Sequence, residues 1–460
     1  MKEIWRGRSW KRILDRKDER RMGTMMKTNR IAIIVISIAL IAIIGGTSFA
    51  ADQKKVTIKV LNWAQGGQEY WDKTAEAFSR ENPSIQVEYE SVPFERYYEK
   101  EGTYLASRSG PDVMANNLGF ELWERAGAYK DISKRLTPKI KRSLYDYTGC
   151  ALAFDEKLGI LGIAPSYQGN LMYYNRELFT NAGLDPNAPP ADWDTFGKYA
   201  VKVKASGKAM LAMGTGHTIA YWFFPEIAKN FWKSSEDIQQ FMRGQIPWSD
   251  PRMRKVLDFM AWMADQGWYQ EGAATTTMLP DAGDVFIRGD TAMIYGIASD
   301  VFNWKTWGDA MGHQNIGVMK WPMIDPKAPF AGKFSGVGGF SVGIAAWTKN
   351  EEAAWKYVEW MASEENANLF LKLAGGQPNN KNFDKSIITN SPSFTKIQSI
   401  ISNNMPHTGV MLSGRELDAI SRGYEQIILK QITVDDWAKT MQDALNDSDL
   451  KKPTAAIWNH

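Results

Sequence analysis

The sequence predicts an α/β protein in two domains, and three observations carry that expectation. The chain has 460 residues, more than one hydrophobic core usually organises, and two domains of ordinary size accommodate them. Apolar residues make up 44% and charged residues 23%, a globular balance and not a disordered one. From residue 55 onward, short alternating segments take turns with segments of helical period. That order builds a mostly parallel sheet with helices on its faces.

The elements follow in order. In Lys55 to Leu61, Val56, Ile58 and Val60 share one side, as in a half-buried strand. Asn62 and Trp63 end it, and Gln65, Gly66 and Gly67 open a loop. Trp71, Ala75 and Phe78 fall on one face of a helix that Asn82-Pro83 stops. Ile85 to Val92 alternates again, Tyr97 to Ser107 reads as helix, and Gly110 to Val113 leads into a third short strand. In such sheets ligands bind beyond the carboxyl ends of the strands, which singles out Trp63, Gln65, Asn116 and Asn117. Further on, Met172 to Tyr174 precedes a helix from Arg176 to Ala182, and Asp192 caps one in which Trp193, Phe196 and Ala200 share a face. The chain is then mainly helical to about residue 300, with a strand over Thr291 to Tyr295. Strands follow at Gly317 to Met319 and Gly338 to Ala345. Thr433 and Asp436 make a capping box for a last helix lined by Trp437, Met441 and Leu445.

The N-terminus reads as an address. Lys27 to Arg30 is basic, Ile31 to Ile44 is almost continuously apolar, and Thr47 to Ala50 sets small residues around a cleavage point after Ala50. Those are the parts of a secretory signal peptide. The apolar run is shorter than the roughly 20 residues a spanning helix needs, and an uncleaved anchor is the alternative. The segment before Met26 is polar and patternless, so Met25 or Met26 is read as the true initiator. Residues 1–50 hold 11 Lys/Arg and 4 Asp/Glu; without them 44 basic residues face 48 acidic ones, a net −4. A nucleic-acid-binding face needs concentrated positive charge, and no nucleic-acid partner is expected. The lone cysteine, Cys150, forms no internal disulfide and reads as a small buried hydrophobe. No cysteine follows the apolar run to carry a lipid.

Catalytic signatures are missing. His217, His313, His407 and His460 are scattered without a zinc-binding spacing, and there is no Gly-x-Ser-x-Gly elbow and no Walker-type loop. No catalytic residue, metal or cofactor is expected. A glycosidase would need two carboxylates across a cleft, and acids are plentiful enough to leave that alternative open.

Several phrases, in this order, carry a resemblance: FSRENP over Phe78–Pro83, GPDV over Gly110–Val113, YNRELF over Tyr174–Phe179 with Ala182 to Leu184, DWDTF over Asp192–Phe196, FIRGDTAM over Phe286–Met293, and GGFSVGIA over Gly338–Ala345. Together they resemble the bacterial extracellular solute-binding proteins of ABC-type sugar importers, the maltose-binding protein among them. The resemblance spans about residues 55 to 445. It departs at Asp192, where the family usually has Ser or Thr, and Asp caps a helix as well. The resemblance implies the two-lobed periplasmic-binding-protein fold of class II, a ligand cleft between lobes, and a monomer that closes by a hinge on a carbohydrate and delivers it to membrane permease subunits. It places a first lobe at 52–162 plus 301–350 and a second at 163–300 plus 351–445.

A sugar presents C–H faces and hydroxyls, which aromatic rings and amides recognise. Besides the strand-end residues, the resemblance implies Tyr167 and Gln168 at the first crossing between lobes and Tyr221 and Trp222 in an aromatic cleft segment. After Gly296 the family often has an aromatic platform; here the stretch holds Asp300 and no ring until Phe302 and Trp304. Gly338 and Gly339 allow close backbone approach. Trp193, Trp262, Trp355, Trp360 and Trp437 recur at helical spacing and are expected in the core. A non-sugar solute, such as a glycerol phosphodiester, a peptide or a polyamine, is the alternative ligand; a phosphate would want Arg or Lys at the strand ends, where this chain has amides and rings.

Overall fold

The computed structural model describes residues 55–447 except 64–66, 118–125, 148–158, 216–219, 278–280, 297–302, 403, 407–411 and 413. Gln65, Cys150, Asp300 and the signal-like segment therefore lie outside the described residues.

Alternating Val56, Ile58 and Val60 form the middle of the first sheet. Strand β1 (Val56–Asn62) pairs in parallel with β2 (Ile85–Ser91) and β3 (Val113–Asn117). Between them run helices α1 (Gln68–Glu81) and α2 (Phe94–Ser107). A later strand completes the sheet on the β3 side, antiparallel, with Phe340 opposite Asn117 and Ser341 opposite Asn116. One face of the sheet (Ile58, Val60, Val113, Val342) packs on Trp71 and Phe78 of α1 and on Ala354, Tyr357 and Val358. The other face (Leu61, Met114) packs on Tyr97 and Leu105 of α2 and on Tyr129.

After the short α3 (Pro138–Ser143), the chain enters β4 (Tyr167–Gln168), β5 (Leu171–Asn175) and α4 (Arg176–Asn181). Helix α5 (Trp193–Ala205) begins where expected: Asp192 accepts the Thr195 N–H at 2.7 Å. β6 (Ala209–Ala212), α6 (Ala220–Ala228), α7 (Ser235–Met242), α8 (Pro251–Asp265), α9 (Gly283–Ile287), β7 (Thr291–Gly296), α10 (Asn303–Met311) and β8 (Ile316–Met319) follow. The second sheet has the order β6-β7-β5-β8, with β5 antiparallel to both neighbours. Its core is rich in Trp, Phe and Met, which fill irregular space between helices.

The chain returns through β9 (Phe334–Gly338) and β10 (Phe340–Ile344), then α11 (Glu351–Met361) and α12 (Glu364–Leu369). α13 (Pro392–Ile401), β11 (Asn404–Pro406), α14 (Gly414–Ile428) and α15 (Val434–Asn446) close the fold, the last with the expected Thr433–Asp436 capping box. A third sheet, β11-β9-β4, lies on the crossing segments that connect the two larger sheets.

Three sequence expectations need correction. β8 was expected with the first lobe, but Met172 to Asn175 pair with Ile316 to Met319, so 303–319 belong to the second sheet's body. Residues 351–370 were expected with the second lobe, but α11 covers the first sheet. Chain order does not fix which body a crossing segment joins; the partner strand and the apolar face do. Trp262, expected in the core, is 39% exposed: it packs on Phe259 and Trp268 at the margin of the core and leaves the rest of its ring to solvent. Trp193, Trp355, Trp360 and Trp437 are buried.

Candidate functional site

Of the candidate residues, Trp63, Asn116, Asn117, Gln168, Gly338 and Gly339 lie at the ends of β1, β3 and β10 and on the crossing strands β4 and β9. Trp63, just beyond β1, is half-buried, set edge to face with Tyr97 at 4.8 Å between ring centres and lying 6.1 Å from Phe340. Asn116 sits near the end of β3, opposite Ser341, with 0% of its surface exposed. Asn117 is opposite Phe340.

The crossing itself depends on glycine. Tyr167 and Gln168 pair with Gly338 and Val337. A Cβ on Gly339 would lie 2.1 Å from Ser166 Oγ and 3.1 Å from Gln168, and one on Gly338 would lie 2.9 Å from Ala164. The two glycines thus let the protein's own crossing strands approach closely. They also bring Gln168, which is 1% exposed, to the start of β10, the strand that carries the partners of Asn116 and Asn117. Two buried amide atoms there have no hydrogen-bond partner: Asn116 Oδ1, an acceptor, and Gln168 Nε2, a donor. Buried polar groups are nearly always paired, and these two atoms are among several unpaired ones in the described residues.

Two predicted site residues are buried against the protein's own rings. Tyr167 is buried, stacked on Tyr145 at 5.0 Å, and Gly336 makes room for its hydroxyl. Trp304 is 2% exposed, its indole N–H donates to Gly375 O at 2.8 Å, and its ring packs on Phe394. A ring so little exposed offers no open face for stacking. Tyr221 and Trp222 occupy the first turn of α6, immediately before the buried Phe223 and Phe224; their side chains and Asn117's fall outside what the structure describes.

The sequence did not single out the residues that hold the crossing together. Asn379, fully buried, donates from Nδ2 to Asp146 O (2.7 Å) and Ala164 O (2.8 Å) and accepts the Asp146 N–H (2.9 Å). The Asp146 carboxylate in turn accepts the Gly338 N–H at 2.8 Å. The signal that could have found them is the polar run Gln377 to Asn380 after Gly375-Gly376, which reads as an ordinary loop until its partners are known. In the second body, Lys229 is buried and bonds Glu226 and Lys333 O, and Lys320 bonds Gly332 O. Burial, reinforced by Lys229, Lys333 and Lys396, holds the Lys320 pKa below its ordinary value. These ammonium groups already have oxygen partners within the protein.

A profile of the bacterial extracellular solute-binding protein family matches residues 62–368, more than half of the chain. The chain belongs to that family. Its members are the solute-binding subunits of ABC transporters and act outside the cytoplasm. A protein of Brucella abortus (strain 2308), named only as a binding protein, is 24% identical over 339 residues, 72% of this chain and 78% of its own. The sn-glycerol-3-phosphate-binding periplasmic protein UgpB of Escherichia coli (strain K12) is 25% identical over 326 residues, 67% of this chain and 70% of its own. Among solved structures, a chitin oligosaccharide binding protein superposes with a TM-score of 0.71 at 16% identity, over 86% of this chain and 99% of that one. Maltose-bound MalE3 of T. maritima gives 0.67 at 20% identity, over 85% and 99%. At these identities the likeness shows the fold, the two-lobed periplasmic-binding-protein fold expected from the sequence. Among the described residues, no helix is long and apolar enough to cross a membrane.

Proposed function

We propose that this solute-binding protein captures a neutral carbohydrate, an oligosaccharide, and delivers it to its permease by closing its lobes about the crossing sheet. The observation that carries the reading is the pair of buried, unpartnered amide atoms, Asn116 Oδ1 and Gln168 Nε2. A hydroxyl both donates and accepts, so neighbouring sugar hydroxyls satisfy both atoms, whereas a phosphate group only accepts and meets Gln168 Nε2 but not Asn116 Oδ1. The half-buried Trp63 supplies a ring for a sugar's C–H face, and the names of the chitin-oligosaccharide and maltose proteins fit this ligand class. The signal-like segment ending at Ala50 supplies the export route.

The test is intrinsic tryptophan fluorescence of the protein exported from the full-length gene, titrated with mono- and oligosaccharides and with sn-glycerol 3-phosphate. A saturable response to a sugar that is not consumed is the expected result, and Trp63→Ala weakens it about five- to tenfold, since a stacked ring contributes about 1–1.5 kcal/mol, while the melting temperature holds. A response to sn-glycerol 3-phosphate alone, or breakdown of the sugar, would overturn the reading.

A further inference from the structure

Helix α2 carries Tyr97, Glu101 and Leu105 at four-residue spacing, one face of the helix, and that face is buried. Glu101 is thus a carboxylate at 0% exposure between an aromatic and a leucine. Acids are almost never fully buried unless paired, and here the Tyr129 hydroxyl donates to Glu101 Oε1 at 2.7 Å. Asn116 Nδ2 in turn donates to the Tyr129 oxygen at 2.6 Å. Tyr129 has one hydroxyl proton, and it donates that proton's hydrogen bond to the Glu101 carboxyl. Its oxygen is left only lone pairs for Asn116, so the amide must present its NH₂ to Tyr129 and turn Oδ1 the other way. Asn116 Oδ1 is the atom with no partner.

We infer that Glu101, acting through Tyr129, is a positioning residue that fixes the Asn116 amide so that an acceptor faces the ligand, and thereby selects for a hydroxyl donor over an anionic group. The inference rests on the carbohydrate reading and gives it a specificity determinant. With the carboxylate in place, an incoming phosphate oxygen meets another oxygen, while a sugar hydroxyl donates to it.

The experiment measures, by isothermal titration calorimetry, the affinities of the exported protein for maltotriose, diacetylchitobiose, raffinose and sn-glycerol 3-phosphate, in wild type, Glu101→Gln and Tyr129→Phe. A glutamine at 101 donates or accepts, so Tyr129 no longer has its proton assigned and the Asn116 amide turns over. Tyr129→Phe removes a single oxygen but takes the donor from the buried Glu101 carboxyl, so thermal melts are run on both variants and affinities are compared at a temperature where each is folded. The expected result is that the bound sugar weakens roughly tenfold, as for a lost oriented hydrogen bond, while binding of sn-glycerol 3-phosphate stays equal or strengthens, so the ratio of the two falls. A merely structural role would weaken both alike. If wild type binds a sugar and the ratio is unchanged in both variants, the inference falls and the carbohydrate reading stands. If wild type prefers sn-glycerol 3-phosphate, or binds none of the four, both fall.

Discussion

Replacing Asn379 tests what holds the crossing segments together. Its amide makes three hydrogen bonds, to Asp146 O, Ala164 O and the Asp146 N–H, all buried. In Asn379→Ala those three backbone groups lose their partner, each at a cost of about 1–3 kcal/mol. Water entering the vacated space favours the lower end, so the sum is about 3 kcal/mol. With an unfolding entropy of ~2.1 cal/mol/K per residue over roughly 400 residues, that lowers the melting temperature by about 4 °C. Asn379→Asp separates hydrogen bonding from volume. It keeps the size and the acceptor for the Asp146 N–H, but it sets a carboxylate against two carbonyl oxygens. Differential scanning calorimetry should find Asn379→Asp at least as damaging as Asn379→Ala. An Asp variant that melts within about 1 °C of wild type while the Ala variant falls by ~4 °C would mean that packing, not the amide's bonds, secures the crossing.

Lys229→Met leaves the Glu226 carboxylate buried and uncompensated, and urea unfolding should show a loss of about 3–5 kcal/mol; adding Glu226→Gln should recover part of it. Gly423→Ala places a Cβ 2.1 Å from Trp437 Cδ1. Overpacking of that kind costs about 1–3 kcal/mol and outweighs alanine's helix preference of about 1 kcal/mol, so the thermal midpoint should fall. Asp192→Ala removes a helix cap worth about 1 kcal/mol. The Thr195 backbone N–H holds the Asp192 carboxyl below its ordinary pKa, so its contribution is full above the unfolded pKa and disappears as pH falls through the folded one. The stability gap between wild type and Asp192→Ala, followed by circular dichroism, should be constant near pH 7 and close below about pH 4.

Local chemistry was legible in the sequence. The Asp192 cap and the Thr433–Asp436 box are decided within four residues of chain, and both stand in the structure as read. The strand ends carrying Trp63 and Asn116 were legible for a related reason, because alternation locates the end of a buried strand. What sequence order left undetermined is pairing at a distance. β8 could have joined either sheet until its antiparallel partner β5 was known, and α11 could have covered either body until its Ala354, Tyr357 and Val358 found the first sheet. Trp262 shows the converse limit: helical spacing says which residues share a face, not how far a large ring at its margin reaches into the core.

The crossing residues were hidden for a further physical reason. A buried carboxylate or amide has the same letter as a solvated one, and its meaning comes from partners far along the chain. Glu101 looks like one more surface acid on a charged helix, yet the period that put Tyr97 and Leu105 in the core put it there as well. Burying it is costly, and a neighbouring proton donor offsets the cost; that donor, Tyr129, then has a single remaining function to offer Asn116. The orientation of one amide at the site therefore follows from where a helix face happened to place an acid, a dependence that no local pattern encodes.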